Sequence, residues 1–167
     1  MRKSLVPIAL AALFLLPAVA LATRGAALKD GTLAVKDGVG MVYVNATGAV
    51  IGRVDKATRI TFIDFAEDDG GPPILTGCDW DSESAGPTDD GDGVKKYCSG
   101  TKIRFRLLGG KYSIRITGGR GIDLSAVGKG KVELRGQEGS SEDGTYSVDG
   151  GEPRSLPDNK KSFPLGS

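Results

Sequence analysis

Between Lys102 and Leu134 apolar and polar residues alternate almost without interruption, KIRFRLLGGKYSIRITGGRGIDLSAVGKGKVEL, and this alternation leaves few folds open. Successive side chains on a β-strand point to opposite faces, so a period of two marks a half-buried strand. Ile103, Phe105 and Leu107 share one face, and Lys102, Arg104 and Arg106 the other. Gly109-Gly110 reads as the two-residue turn of a type I′ hairpin, which needs positive φ at both central positions. With Leu108 opposite Lys111, that hairpin sets Leu107 against Tyr112, Phe105 against Ile114, Ile103 against Ile116 and Arg104 against Arg115. The expectation is a meander with one apolar face and one basic stripe.

The same texture recurs on both sides. Residues 33–36, 41–44, 50–54 and 59–65 each read as a strand, with Gly-containing turns at 38–40 and 46–49. Gaps this short suit hairpins and leave no room for crossover helices, so the sheet is expected to be antiparallel. Thr145 to Val148 reads as a further strand, and Phe163 pins a final short edge strand. About nine or ten strands in one domain from residue 31 to 167 give an all-β class, antiparallel meanders forming a sandwich or a small barrel.

The N-terminus has a different composition. Arg2 and Lys3 precede an apolar run from Leu5 to Leu16, and Ala20-Leu21-Ala22 offers small residues for cleavage, so residues 1–22 read as a signal peptide and 23–30 as a flexible lead-in. The apolar run is shorter than the roughly 20 residues of a membrane-spanning helix, so no transmembrane anchor is expected after cleavage. The chain is therefore expected to be secreted, either extracellular or periplasmic. Cys78 and Cys98 are the only two cysteines, and in an oxidising compartment such a pair forms a disulfide.

The chain carries 22 Lys and Arg against 21 Asp and Glu, with no His. A balanced net charge gives no argument for nucleic acid, and the missing His removes the commonest general base and metal ligand at neutral pH. A catalytic thiol would lack its usual partner for the same reason. The charges are nevertheless segregated: ten acids and no Lys or Arg lie between Asp64 and Val94, whereas nine basic residues face only Asp123 and Glu133 between Lys102 and Arg135. Residues 66–101, rich in Gly, Pro and Asp, read as a long acidic loop closed by the disulfide.

Three kinds of chemistry fit these segments. Asp79, Asp81, Glu83, Asp90 and Asp92 offer hard oxygen ligands to calcium, although Ser84, Pro87 and the lack of flanking helices depart from an EF-hand. The same carboxylates, with Trp80 as a sugar-stacking ring, are the raw material of a carbohydrate-active enzyme, which needs a rigidly spaced pair. The basic stripe of Lys102, Arg104, Arg106, Lys111 and Arg115 suits phosphate or carboxylate on an anionic envelope polymer, a lipid headgroup or nucleic acid. Phe105 and Tyr112 face inward on this reading, which counts against single-stranded nucleic acid.

A short Ala/Leu-rich leader followed by a Gly-turned β domain resembles small uncharacterised exported β-rich proteins of high-GC bacteria. The function expected from the residues is a non-enzymatic cell-envelope or extracellular β-domain with a structural or binding role. Its partners on this reading are an anionic envelope polymer or another envelope protein, and the main alternative is calcium or anionic-polymer binding through the loop and the stripe.

Overall fold

The computed structural model describes residues 29–65, 73–88, 91–137 and 142–166, with the side chains of 85–88 and 91–92 left aside. Residues 1–22, expected as a signal peptide, and most of the expected lead-in at 23–30 lie outside these residues. Among the described residues there are six strands: β1 (Gly31–Phe65), β2 (Ile74–Thr88), β3 (Gly91–Gly136), β4 (Thr145–Val148), β5 (Arg154–Ser155) and β6 (Lys161–Leu165). They form one antiparallel hydrogen-bonded sheet in the order β2-β3-β1-β4-β5, with β6 on β3, and the sheet does not close into a barrel.

Two of these strands are far longer than the 3–10 residues usual in globular proteins. β1 has 35 residues and β3 has 46, and each pairs with the other along both of its edges. Val42 faces Ile116 on one side and Leu134 on the other; Val50 faces Leu107 on one side and Ala126 on the other. The two registers differ by about 18 residues throughout, so the β1/β3 pair is a ribbon whose successive turns also hydrogen-bond to each other. Such a ribbon lays its segments in two rows. One row runs 74–76, 101–108, 49–56, 122–128, 31–36 and 145–148; the other runs 80–88, 91–98, 59–65, 111–117, 41–47, 129–135 and 161–165. This is the connectivity of a jelly roll, a wound antiparallel ribbon folded into two layers.

The inward residues of both layers form one core. Leu33, Val50, Ile103, Phe105 and Ile122 from the first layer join Val44, Phe62, Tyr112, Ile114 and Leu134 from the second in a single buried cluster. Each large apolar side chain removed from water contributes about 1.5–3 kcal/mol, so this shared interior is the main source of stability. The Tyr112 hydroxyl donates to the Ala49 carbonyl oxygen at 3.3 Å, and burial raises its pKa above the usual phenol range.

The expected hairpin between 102–108 and 111–117 is not formed. Gly109 and Gly110 do have positive φ, 107° and 93°, but they bend the strand across a corner of the fold instead of reversing it onto itself. Among the described residues 101–108 pairs with β1 and β2, and 111–117 pairs with two different segments of β1. The glycine-containing turns within β1 behave likewise: Asp37 at φ 50° and Gly40 at φ 124° turn the chain while pairing continues. Alternation fixed which residues point inward. It did not fix which strand lies alongside.

Residues 66–101, expected as a loop, contain all of β2 and the first segment of β3, and β2 pairs with β3 from Ile74↔Arg106 to Thr88↔Gly91. The physical reason lies in the edge position. β2 pairs with β3 alone, and residues 79–84 expose their side chains, so the segment never needed an apolar alternation. Cys78 and Cys98 form a disulfide with Cα atoms 5.4 Å apart, fastening this edge strand to the core, where Cys98 is buried.

Candidate functional site

The outer face of the first layer carries an open groove of about 940 Å³, near the upper end of the usual size for ligand clefts. Strand register builds it from two outward rows that cross the strands. The first is Ile74, Arg106, Ile51, Ser125 and Ala34, and the second is Thr76, Arg104, Arg53 and Asp123. Between them Gly52 lies inward. A Cβ there would meet the Phe105 ring at 2.5 Å, so the bare glycine lets that ring pack directly beneath the groove floor. Ile51 and Ile74 are 56% and 46% exposed, which makes part of the floor apolar and open to solvent.

The charges are held at one end of the groove and free at the other. Asp123 accepts Arg53 Nη2 at 2.7 Å, Arg53 Nε at 2.8 Å and the Asp37 backbone N–H at 3.0 Å. The backbone hydrogen bond from Asp37, then the Arg53 pair, keep the Asp123 carboxyl below the usual carboxylate range, and the same pair raises Arg53. Arg104 stands directly opposite Arg53 in the register. Cross-strand neighbours have Cβ atoms roughly 4.5–5.5 Å apart, and here the Asp123 carboxylate compensates the Arg53 charge while Arg104 keeps its own. Arg104 and Arg106 have no ion-pair partner among the described residues.

The basic stripe expected as one surface is divided between the two layers. Lys102, Arg104 and Arg106 lie on 101–108, whereas Lys111 and Arg115 lie on 111–117 in the other layer, all exposed. Arg115 stacks over Tyr43 with its guanidinium carbon 4.3 Å from the ring centroid, and Lys111 lies over Phe65 at 4.6 Å. Arg104 therefore faces Arg53 in place of Arg115, because the Gly109-Gly110 corner carries the chain from one layer to the next. Arg53, Asp123, Ile51 and Ile74 were not legible as site residues, since they meet only through pairings between distant segments. The one local signal was Ile51-x-Arg53, outward positions between the buried Val50 and Val54.

The calcium candidates are arranged differently from a closed site. Asp79, Asp81 and Glu83 are exposed along the edge strand β2, and Glu83 pairs with Lys96 at 3.1 Å. Asp90 and the Asp92 side chain lie outside the described residues, among which no three acids or cysteines gather as a metal site. Trp80 is 56% exposed between Asp79 and Asp81, and a recess of about 190 Å³ beside the disulfide is lined by Asp81 and Glu83 with Lys96.

Two depressed carboxyl pKa values set an acid dependence. Glu133, buried between Lys131 at 2.8 Å and Lys160 at 3.6 Å, is lowered chiefly by its hydrogen bond from Lys131, and Asp123 is lowered as described. For both, the unfolded chain binds protons more readily than the folded one, so their stabilisation is complete above the ordinary carboxylate range and is lost as pH falls through the folded values. The thermal midpoint is expected to fall between pH 6 and pH 3, and Glu133→Gln to flatten part of that fall. An unchanged slope in the variant would assign the acid dependence elsewhere.

The chain matches no protein-family model, and comparison with the curated proteins and with the solved structures finds no match.

Proposed function

We propose that this chain is an exported, non-enzymatic binding module of the cell envelope or extracellular space, and that the groove on its first layer takes an anionic ligand. One observation carries the reading: Arg53 and Arg104 oppose each other across neighbouring strands, with Arg106 beside them, on an open and partly apolar floor. Asp123 compensates the charge of Arg53, so Arg104 and Arg106 are the uncompensated cations that an anion meets in the groove. Arg53 is already oriented by Asp123, so less side-chain freedom is lost when a ligand arrives. Export is supported by the Cys78–Cys98 disulfide and the leader-like first 22 residues, and among the described residues no helix is long and apolar enough to cross a membrane. The groove's best-held carboxylate, Asp123, serves Arg53 and the Asp37 N–H and is kept ionised, a role in positioning and not in acid catalysis.

The test is binding to a panel of polyanions by calorimetry at low salt, with Arg104→Gln plus Arg106→Gln beside Arg115→Gln. A hydrogen bond to a charged group contributes about 1.5–3 kcal/mol, so the double variant is expected to lose at least about tenfold in affinity. Arg115→Gln, on the other layer, is expected to bind as wild type. Equal losses in both would reduce the effect to general charge, and no loss in either would dismiss the groove.

A further inference from the structure

The guanidiniums say that the ligand is anionic; the remainder of the groove says what carries the charge. Resting on the anion-binding reading above, we infer that the occupant is an acidic polysaccharide, a uronate-bearing chain laid across the strands. The row from Ile74 to Ala34 crosses five strand segments, roughly 19 Å at the 4.8 Å strand spacing. That is the reach of a short polymer stretch, more than one small anion fills. Along this row Arg106 sits between the exposed Ile74 and Ile51. A uronate sugar matches that order, because its ring presents C–H faces to apolar side chains while its carboxylate projects at the edge toward a planar guanidinium.

The second row supplies partners for hydroxyl groups. An ionised carboxylate has about four acceptor sites. On Asp123 two bonds from Arg53 reach Oδ2 and one from the Asp37 N–H reaches Oδ1, which leaves Oδ1 able to accept a hydroxyl from the groove. Ser125 and Thr76 line the same surface and both donate and accept. A carboxylate at this end repels a densely charged chain such as polyphosphate but hydrogen-bonds a sugar hydroxyl. Among the described residues no aromatic ring stands on the outer face of the groove to stack a base, since Phe105 is 2% exposed beneath the floor. An acyl chain would gain little, because an open groove leaves much of its surface in water.

The experiment titrates the intact secreted protein with polygalacturonate, alginate and hyaluronate, and in parallel with polyglutamate, polyphosphate and neutral dextran at matched ionic strength. At least one uronan is expected to bind tenfold or more tightly than polyglutamate of similar charge, and dextran not to bind. Ile51→Ser with Ile74→Ser is expected to weaken the uronan severalfold and leave polyglutamate unchanged, while Arg104→Gln with Arg106→Gln removes both. If polyglutamate or polyphosphate equals the best uronan and the isoleucine variant changes nothing, the saccharide inference is overturned and the anion groove stands. If no polyanion binds, both readings fall together.

Discussion

Phe105→Ala is expected to lower the unfolding free energy by about 3–5 kcal/mol, the cost of emptying a large buried aromatic site. The ring is 2% exposed and belongs to the shared interior of both layers, and it occupies the volume that any side chain at position 52 would claim. Truncation therefore opens a cavity bounded on one side by the bare backbone of Gly52, where nothing can relax inward to fill it. Urea unfolding measures this as a lower midpoint with an unchanged slope, since the surface exposed on unfolding is nearly the same. Phe105→Leu, which keeps most of the volume, is expected to lose much less. A cost for Phe105→Ala below about 1 kcal/mol would place it among ordinary surface changes and would mean that the two layers do not share this ring.

Replacing Cys78 and Cys98 together by alanine is expected to cost about 3 kcal/mol, from the chain freedom returned to a 20-residue separation. In a domain of this size that corresponds to a thermal midpoint lower by roughly 6–12 °C. The loss should be uneven. β2 is paired on one edge only, and the disulfide is its covalent attachment to β3. Amide exchange in 74–88 is expected to accelerate strongly, while 41–47, paired with β3 on both edges, keeps its protection. Uniform acceleration would show instead that the edge strand and the core open as one unit.

The inward face of this fold could be read directly from residue order. Ile103, Phe105, Leu107, Ile114 and Ile116 alternate with polar neighbours, and all are buried. Their partners could not be read, because a sandwich interior accepts apolar side chains from above and below equally, and Phe105 and Ile114 reach it from opposite layers. Glycine gave the same ambiguity. It permits positive φ whether the chain reverses, as in a hairpin, or only bends, as at Gly109 and Gly110. The segment from Gly77 to Glu83 hid its strand altogether, since an edge strand lying in solvent needs backbone pairing but no oily face. The groove followed from what was hidden. Arg53 and Arg104 are 51 positions apart and become neighbours only when the ribbon is wound.

The winding also governs where this chain can change length. An extra residue in 41–47 would slide it against 111–117 and 129–135 at once, and would turn every following side chain of the segment to the opposite face. Insertions and deletions within the twice-paired ribbon are therefore ruinous in a way that substitutions are not. The exposed turn at 150–153, ahead of the core anchor Leu156, is where the protein can grow or shrink with least disturbance to either layer.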